Sequence, residues 1–238
     1  MSLYVIADTH LSFSTGKTMN VFSGWDDYEI RLEKNWRALV KPEDTVVIPG
    51  DVSWCMNMED GLEDFRFLNS LPGRKILMKG NHDYWWSTKK KADDFFKQHS
   101  LDTLNILHNN AYECGSIAIC GTRGWFFDAE KDEDKKIILR EAGRLRASIA
   151  AAKQTGLEPV VFLHYPPLTK ERRCDDIYSV LTDEGIKRCY YGHLHSYSHL
   201  TAYTGVNEDG IDFRLISGDY LGFIPAYVPE SGTDNQVN

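Results

Sequence analysis

No CxxC pair, no long apolar run and no surplus of basic residues occur in this 238-residue sequence, and each absence removes a class of function. The five cysteines, at positions 55, 114, 120, 174 and 189, are odd in number and scattered. They offer neither a disulfide framework nor a thiolate zinc site, and they fit a reducing cytoplasm. The first apolar run, Leu3 to Ala7, is too short for a signal-peptide core and meets Asp8 at once; no later stretch approaches a membrane span. Neither export by a cleavable signal nor a membrane partner is expected. Acidic residues outnumber basic ones, 35 to 27, giving a net charge of -8. That balance argues against a broad basic face tracking a long nucleic acid and favours a small substrate. Internal repeats, heptads and low-complexity tracts are missing too.

What is present is one arrangement used five times. Leu3 to Ala7, Thr45 to Ile48, Lys75 to Met78, Val160 to Leu163 and Cys189 to Tyr191 are short apolar runs that read as buried strands. Each ends in a polar cluster: Asp8-Thr9-His10, Gly50-Asp51, Gly80-Asn81-His82-Asp83, His164 and Gly192-His193-Leu194-His195. Five of the eight histidines lie in these clusters, which is more than scattered surface imidazoles explain. Buried carboxylates and imidazoles are costly unless paired or metal-bound, so their repetition after strands points to one shared metal site. An oxygen and imidazole set without thiolates suits first-row ions such as Mn, Fe, Co, Ni and Zn.

Between these runs, helical spacing appears at about 27–40 (Ile30, Leu32, Trp36, Leu39), 59–71 (Leu62, Phe65, Leu68, Leu71) and 133–154 (Ile137, Ile138, Leu145, Ile149), with Gly156 as a helix stop. Alternating strand and helix predicts an α/β fold whose ligands collect at the carboxyl ends of the strands. Ala111 to Gly115 with Ile117 to Gly121, and Leu200 to Thr204 with Ile211 to Ile216, read as hairpins, so the sheets are mixed. The length suits a single domain over 1–228, followed by a polar tail at 229–238 that is expected to fray.

In order and context the five clusters resemble the calcineurin-like metallophosphoesterase superfamily, with its pattern DxH, GD, GNH[DE], H, GHxH. The resemblance implies a four-layer sandwich of two mixed β-sheets flanked by helices. It implies two divalent or trivalent metal ions: Asp8, His10 and His195 on one, Asn81, His164 and His193 on the other, and Asp51 bridging them. It also implies a phosphohydrolase that cleaves a small phosphodiester or phosphomonoester by attack of a metal-bridging hydroxide. His82 is not a ligand in that pattern; beside Asp83 it is placed to donate to the phosphoryl oxygens and to protonate the leaving alkoxide, so His82 and Asp83 form the expected acid dyad.

Aromatic and basic residues follow the clusters. Arg123, in Thr122-Arg123-Gly124-Trp125, is placed to fork onto a phosphate, and Trp85 and Trp125 to stack on a base or sugar. Trp54 follows Asp51, and the loop from Leu11 to Trp25 is a candidate rim. Gly50-Asp51 continues as Val52-Ser53-Trp54 and lacks the phosphate-clamping Arg of the protein Ser/Thr phosphatase branch. GNHDYWW and GTRGW are similar instead to a prokaryotic branch of predicted phosphohydrolases. A catalytically silent scaffold or binding module on the same fold is the alternative, and degradation of that kind first removes a ligand or the acid histidine. His82 and all seven ligand positions are present.

Overall fold

The structure, a computed structural model, describes residues 1–125 and 132–230. The elements run β1 (Leu3–Val5), α1 (Tyr28–Leu39), β2 (Thr45–Ile48), α2 (Leu62–Ser70), β3 (Arg74–Leu77), α3 (Lys89–Gln98), β4 (Leu104–Ile106), β5 (Tyr112–Cys114) and β6 (Ile117–Thr122). They continue with α4 (Asp132–Lys153), β7 (Glu158–Leu163), α5 (Asp175–Asp183), β8 (Arg188–Tyr191), a 3-10 turn (Ser196–Thr201), β9 (Gly205–Val206), β10 (Asp212–Leu215) and β11 (Ala226–Val228).

One sheet has the order β11-β1-β2-β3-β4 and the other β5-β6-β7-β8-β10-β9. The inner strands pair in parallel, while β11, β5 and β9 pair antiparallel with their neighbours. All four residues of β2 are buried, as expected of a parallel strand covered on both faces. Val5, Val47 and Ile76 of the first sheet share an apolar cluster with Ile119, Val160 and Phe162 of the second, so the two sheets face each other across it. A second cluster lies under α1, α2 and α3 and a third under α4 and α5. The order of layers is therefore helix, sheet, sheet, helix.

Trp36 is fully buried and Leu32 and Tyr28 lie one and two turns before it, so α1 docks by a stripe at four-residue spacing. Burial of each such side chain contributes about 1.5–3 kcal/mol. Ile30 and Leu39, expected on that stripe, are 68% and 40% exposed. Tyr28 takes their place because its hydroxyl reaches the His10 carbonyl at 2.7 Å. The hairpin expected from Leu200 to Thr204 is also displaced: Leu200 and Thr201 end the 3-10 turn, and Gly205–Val206 is the arm that pairs with β10. At the end of the chain, the Pro229 carbonyl accepts a hydrogen bond from Arg188, and the rest of the expected tail, 231–238, lies outside the described residues. Among the described residues no helix is long and apolar enough to cross a membrane.

Candidate metal centre

Asp8, Asp51, Asn81, His164, His193 and His195 all leave the carboxyl ends of parallel strands, and a bridge between Ala7 and Ser217 stitches the two sheets together at that rim. Two groups of donors result. One atom each from Asp8, His10 and His195 lie within 4.8 Å of one another, and so do one each from Asp51, His164 and His193. Asn81 joins the second group, its Oδ1 standing 2.7 Å from His164 Nε2. The structure brings together all seven residues assigned as ligands from the sequence.

The backbone aims these side chains. Asp8, His10, Asp51 and His193 have φ of 60°, 42°, 50° and 72°. Left-handed backbone is uncommon outside glycine, though Asp and His tolerate it better than most, and it collects at functional sites. Gly80 and Gly192 are required for close approach: a Cβ on Gly80 would stand 2.1 Å from Asp51 Oδ1, and one on Gly192 2.5 Å from Asp8 Oδ2.

Each metal-side carboxylate has one oxygen pinned and one left over. The His193 N–H donates to Asp8 Oδ2 at 2.9 Å, while Asp8 Oδ1 is buried without a hydrogen-bond partner. The His82 N–H donates to Asp51 Oδ1 at 2.8 Å; Asp51 Oδ2 lies 3.7 Å from His10 Nε2 and 3.6 Å from His164 Nε2. Asp8 Oδ1 lies 3.7 Å from His195 Nε2, itself buried and unpartnered. These separations are too long for hydrogen bonds. Two donors each about 2.1 Å from one shared ion stand about 3.0–3.5 Å apart, so a contraction of a few tenths of an ångström completes the shell.

The imidazoles are oriented from behind. His164 Nδ1–H donates to the Pro49 carbonyl at 3.1 Å, which turns the Nε2 lone pair toward Asn81 Oδ1 and Asp51 Oδ2. The His164 Nε2 lone pair then meets two oxygen atoms, and a cation is the partner that suits all three. His195 Nδ1–H donates to Asp219 Oδ1 at 2.8 Å, and the Ser196 N–H donates to Asp219 Oδ2 at 3.0 Å. Burial pushes His10 down to about 3 and His193 to about 4, and holds His164 well below the usual histidine range, so all three are neutral donors near pH 7. Burial also lowers His195, but Asp8 and then Asp219 outweigh it and raise His195 to about 10; in the chain alone a proton occupies the seat a cation takes. Burial, Asp83 and Asp8 together raise Asp51 well above the carboxylate range, a crowding of acids that positive charge offsets.

Asp83 does something other than the sequence suggests. Its oxygens accept from the N–H groups of Gly80 (2.6 Å), Asp51 (2.8 Å), Val52 (2.8 Å) and Ser53 (3.3 Å) and from Trp85 Nε1 (2.8 Å), clamping the 50–53 loop to the 80–83 loop. His82 Nδ1 is buried without a hydrogen-bond partner, so Asp83 does not hold it, and the expected acid dyad is absent. Trp85 is likewise not a substrate platform: it is 2% exposed, lies in the core under α2 and α3, and spends its indole N–H on Asp83. Trp54 is the tryptophan at the site, stacked on His10 at 4.8 Å and tilted against His82 at 4.4 Å. Trp25 is buried with its edge toward His10 and His195, and Lys17 Nζ sits 3.2 Å over the Trp54 ring, so part of the expected rim loop is packed onto the centre. Arg123 lies over Trp125 at 4.7 Å, and both stand beside His164 through Tyr165: the Tyr165 N–H donates to the Arg123 carbonyl at 2.9 Å, and its ring lies 5.8 Å from Trp125.

Asp219 escaped the sequence reading. Its signal was the same as that of the other positions, a polar cluster, Ser217-Gly218-Asp219, directly after an apolar run ending at Ile216.

Two facing sheets between helices, with oxygen and imidazole donors converging where the strands end, define a metal-dependent hydrolase architecture. The chain belongs to the calcineurin-like phosphoesterase family, whose model matches residues 1–197. Among solved structures it is similar in fold to a protein of unknown function from Aquifex aeolicus (22% identity, 95% of each chain covered, TM-score 0.50). It is similar also to the phosphopantetheinyl hydrolase PptH from Mycobacterium tuberculosis (15% identity, 95% of each chain, TM-score 0.51). No curated protein sequence matches it.

Proposed function

We propose that the chain is a dinuclear metal-dependent phosphohydrolase of small phosphomonoesters or phosphodiesters, working in the cytoplasm. The observation that carries this reading is the pair of converging donor groups, Asp8, His10 and His195 in one and Asp51, His164 and His193 in the other, each with its ligand atoms within 4.8 Å of one another. Asp8, His10 and His195 would hold one ion and Asn81, His164 and His193 the other, with Asp51, whose Oδ2 lies 3.7 Å from His10 and 3.6 Å from His164, serving both. Two divalent ions of the Mn, Fe, Co, Ni or Zn kind supply, when bound, seats for the phosphoryl oxygens and a water acidified towards a pKa of about 7.

The protein's own residues do the rest. Asp8 and Asp51 return about two negative charges against about four positive ones, which leaves the centre attractive to an anionic ester. Trp54 and Trp25 keep the His10 and His195 side of the site apolar. Burial, and then Lys17, hold His82 below the usual histidine range, so it meets substrate as a neutral imidazole whose N–H donates to a phosphoryl oxygen. The substrate's negative charge raises it again, so the imidazole takes a second proton from solvent and, as imidazolium, passes one to the leaving oxygen and returns to neutral.

The test is turnover of nitrophenyl phosphate mono- and diesters by the purified chain reconstituted with each candidate metal, alongside elemental analysis. Two ions per chain, hydrolysis abolished by chelator, and loss of both ions in Asp51→Asn are expected. No hydrolysis with any metal across a broad ester panel would sink the proposal.

A further inference from the structure

Beside the Asn81 and His164 half of the metal centre opens a cavity of about 630 Å³. Lys79, Lys89, Arg123, Arg140 and Arg144 line it, with Glu141 as its carboxylate. Glu141 is already engaged: Thr122 Oγ1 donates to it at 2.6 Å and Arg144 Nη1 at 2.5 Å, and it stands 4.0 Å from Arg123, beyond hydrogen-bond reach. Lys89 is held by Asp93 at 2.6 Å. Lys79, Arg123 and Arg140 are left as three cations with no hydrogen-bonded acid among the described residues, and Arg123 Nε is buried without a partner. In a chain of net charge -8 such a surplus is local and unusual. Cations gathered in a recess repel one another, and an anion offsets that cost.

Another cavity makes the contrast. It is lined by Arg188 and Arg214, and both are already paired, with Glu158 at 2.9 Å and Asp212 at 3.0 Å. Arg188 Nη2 is buried without a hydrogen-bond partner there, as Arg123 Nε is in the first cavity, but each guanidinium has its own carboxylate, so no charge is left for an anion to offset.

Two of the cavity's cations adjoin residues of the metal centre along the backbone. Lys79 stands two residues before Asn81, and the Arg123 carbonyl accepts the N–H of Tyr165, the residue after His164. We infer that this cavity seats a second, non-reacting phosphate group, so that the natural ester carries two phosphates, one presented at the metal centre and one held by Lys79, Arg123 and Arg140. A phosphate dianion neutralises two of the three cations, and the planar guanidinium of Arg123 offers it a fork of donors. The inference rests on the phosphohydrolase reading for its word "substrate", and its test separates the two.

Calorimetric titration of the full chain in chelator, with inorganic phosphate as the probe, reads the cavity without turnover. One site is expected, retained in Asp51→Asn and weakened about tenfold or more in Arg123→Gln and in Arg140→Gln. Arg140 is exposed on α4, so its variant tests the site without disturbing the core. Kinetics of the Mn-loaded enzyme on matched pairs, glucose 1-phosphate against glucose 1,6-bisphosphate and adenosine 5′-monophosphate against adenosine 3′,5′-bisphosphate, read the substrate. A kcat/KM advantage of about tenfold or more for at least one bisphosphate, shrinking in Arg140→Gln, supports the inference. Phosphate binding indifferent to both arginine variants overturns it. Binding in the cavity with no preference for any bisphosphate also overturns it, assigning the cavity to free phosphate. Absence of turnover on every ester, with cavity binding intact, overturns the hydrolase reading instead.

Discussion

Asp219 offers the most exacting check on how the metal centre is built, because it touches no ion in the proposed arrangement and acts only through His195. In Asp219→Asn one side-chain oxygen replaces two. The present carboxylate accepts His195 Nδ1–H at 2.8 Å on one oxygen and the Ser196 N–H at 3.0 Å on the other. An amide satisfies one of these donors and turns an NH2 group against the other. The imidazole also loses the negative charge that supports its basicity, so Nε2 becomes a poorer donor to the ion it shares with Asp8 and His10. Outer-shell changes of this kind cost about 10–100-fold in metal affinity, or about 1.4–2.7 kcal/mol. Titration of the chelator-treated variant with Mn should therefore show one ion weakened by that factor and the other held as in the parent. Turnover measured at saturating Mn should recover. Affinity for both ions unchanged within about twofold would refute the orienting role. Turnover still depressed at metal saturation would instead place Asp219 among the groups that meet the substrate.

Three further outcomes are expected. His82→Ala should keep about two ions per chain while turnover falls by about 10² to 10⁴-fold, with a smaller loss for nitrophenyl esters, whose leaving group needs little protonation; loss of metal, or equal harm to activated and unactivated esters, would contradict the role. Trp85→Phe keeps a ring against Phe65 (4.9 Å) but removes one of the donors to buried Asp83, so urea unfolding should show a loss of about 1–3 kcal/mol with KM unchanged. A raised KM at unaltered stability would return Trp85 to the substrate. Lys75 is fully buried, its ammonium donating to the carbonyls of Leu71 and Gly73, and burial lowers it to about 7. Between that value and its unfolded pKa of about 10.4 the unfolded chain binds the extra proton, so this group makes stability rise with pH, by up to about 1.4 kcal/mol per unit. Below pH 7 both states are protonated and the slope vanishes. Lys75→Met should lack this slope between pH 7 and 9, and parallel urea midpoints for the two proteins across that range would count against it.

The positions of the seven donors were legible because each stands directly after a run that is apolar on both faces, and a buried parallel strand has nowhere to end but at the rim. The same grammar applied to Asp219, but the run before it was read as a hairpin arm, since its closest polar turn, Asn207 to Gly210, lies on its other side. Register settled the matter: β10 lies parallel to β8 as well as antiparallel to β9, so its carboxyl end reaches the metal rim beside His195. Helix α3 went unread for a different reason. Its first six residues are Lys, Lys, Lys, Ala, Asp and Asp, and only Ala92, Phe95 and Phe96 face inward, too narrow a stripe to show against that run of charge. Thr88 starts it, its hydroxyl accepting the Lys91 N–H at 3.3 Å.

What adjacency in sequence misjudged was direction. Asp83 follows His82 in the chain, yet its carboxylate accepts from the N–H groups of Asp51 and Val52, in a loop more than two dozen positions away, while the His82 ring packs against Trp54. The result is a division of labour that residue types alone do not reveal. Asp83 meets five N–H donors and no donor set, so it is the acid that fixes the loops; Asp8 and Asp51 each spend one oxygen on a single N–H and keep the other for a cation. Left-handed backbone at Asp8, His10, Asp51 and His193 costs on the order of 1–3 kcal/mol at each position. Loops free to move would relax it and scatter the ligands. The Asp83 clamp and the bridge between Ala7 and Ser217 oppose that relaxation, so the strain is held in the form the site needs: oxygen and imidazole atoms already aimed at one another, with cations suited to replace the proton on His195 and to offset the crowding of acids around Asp51.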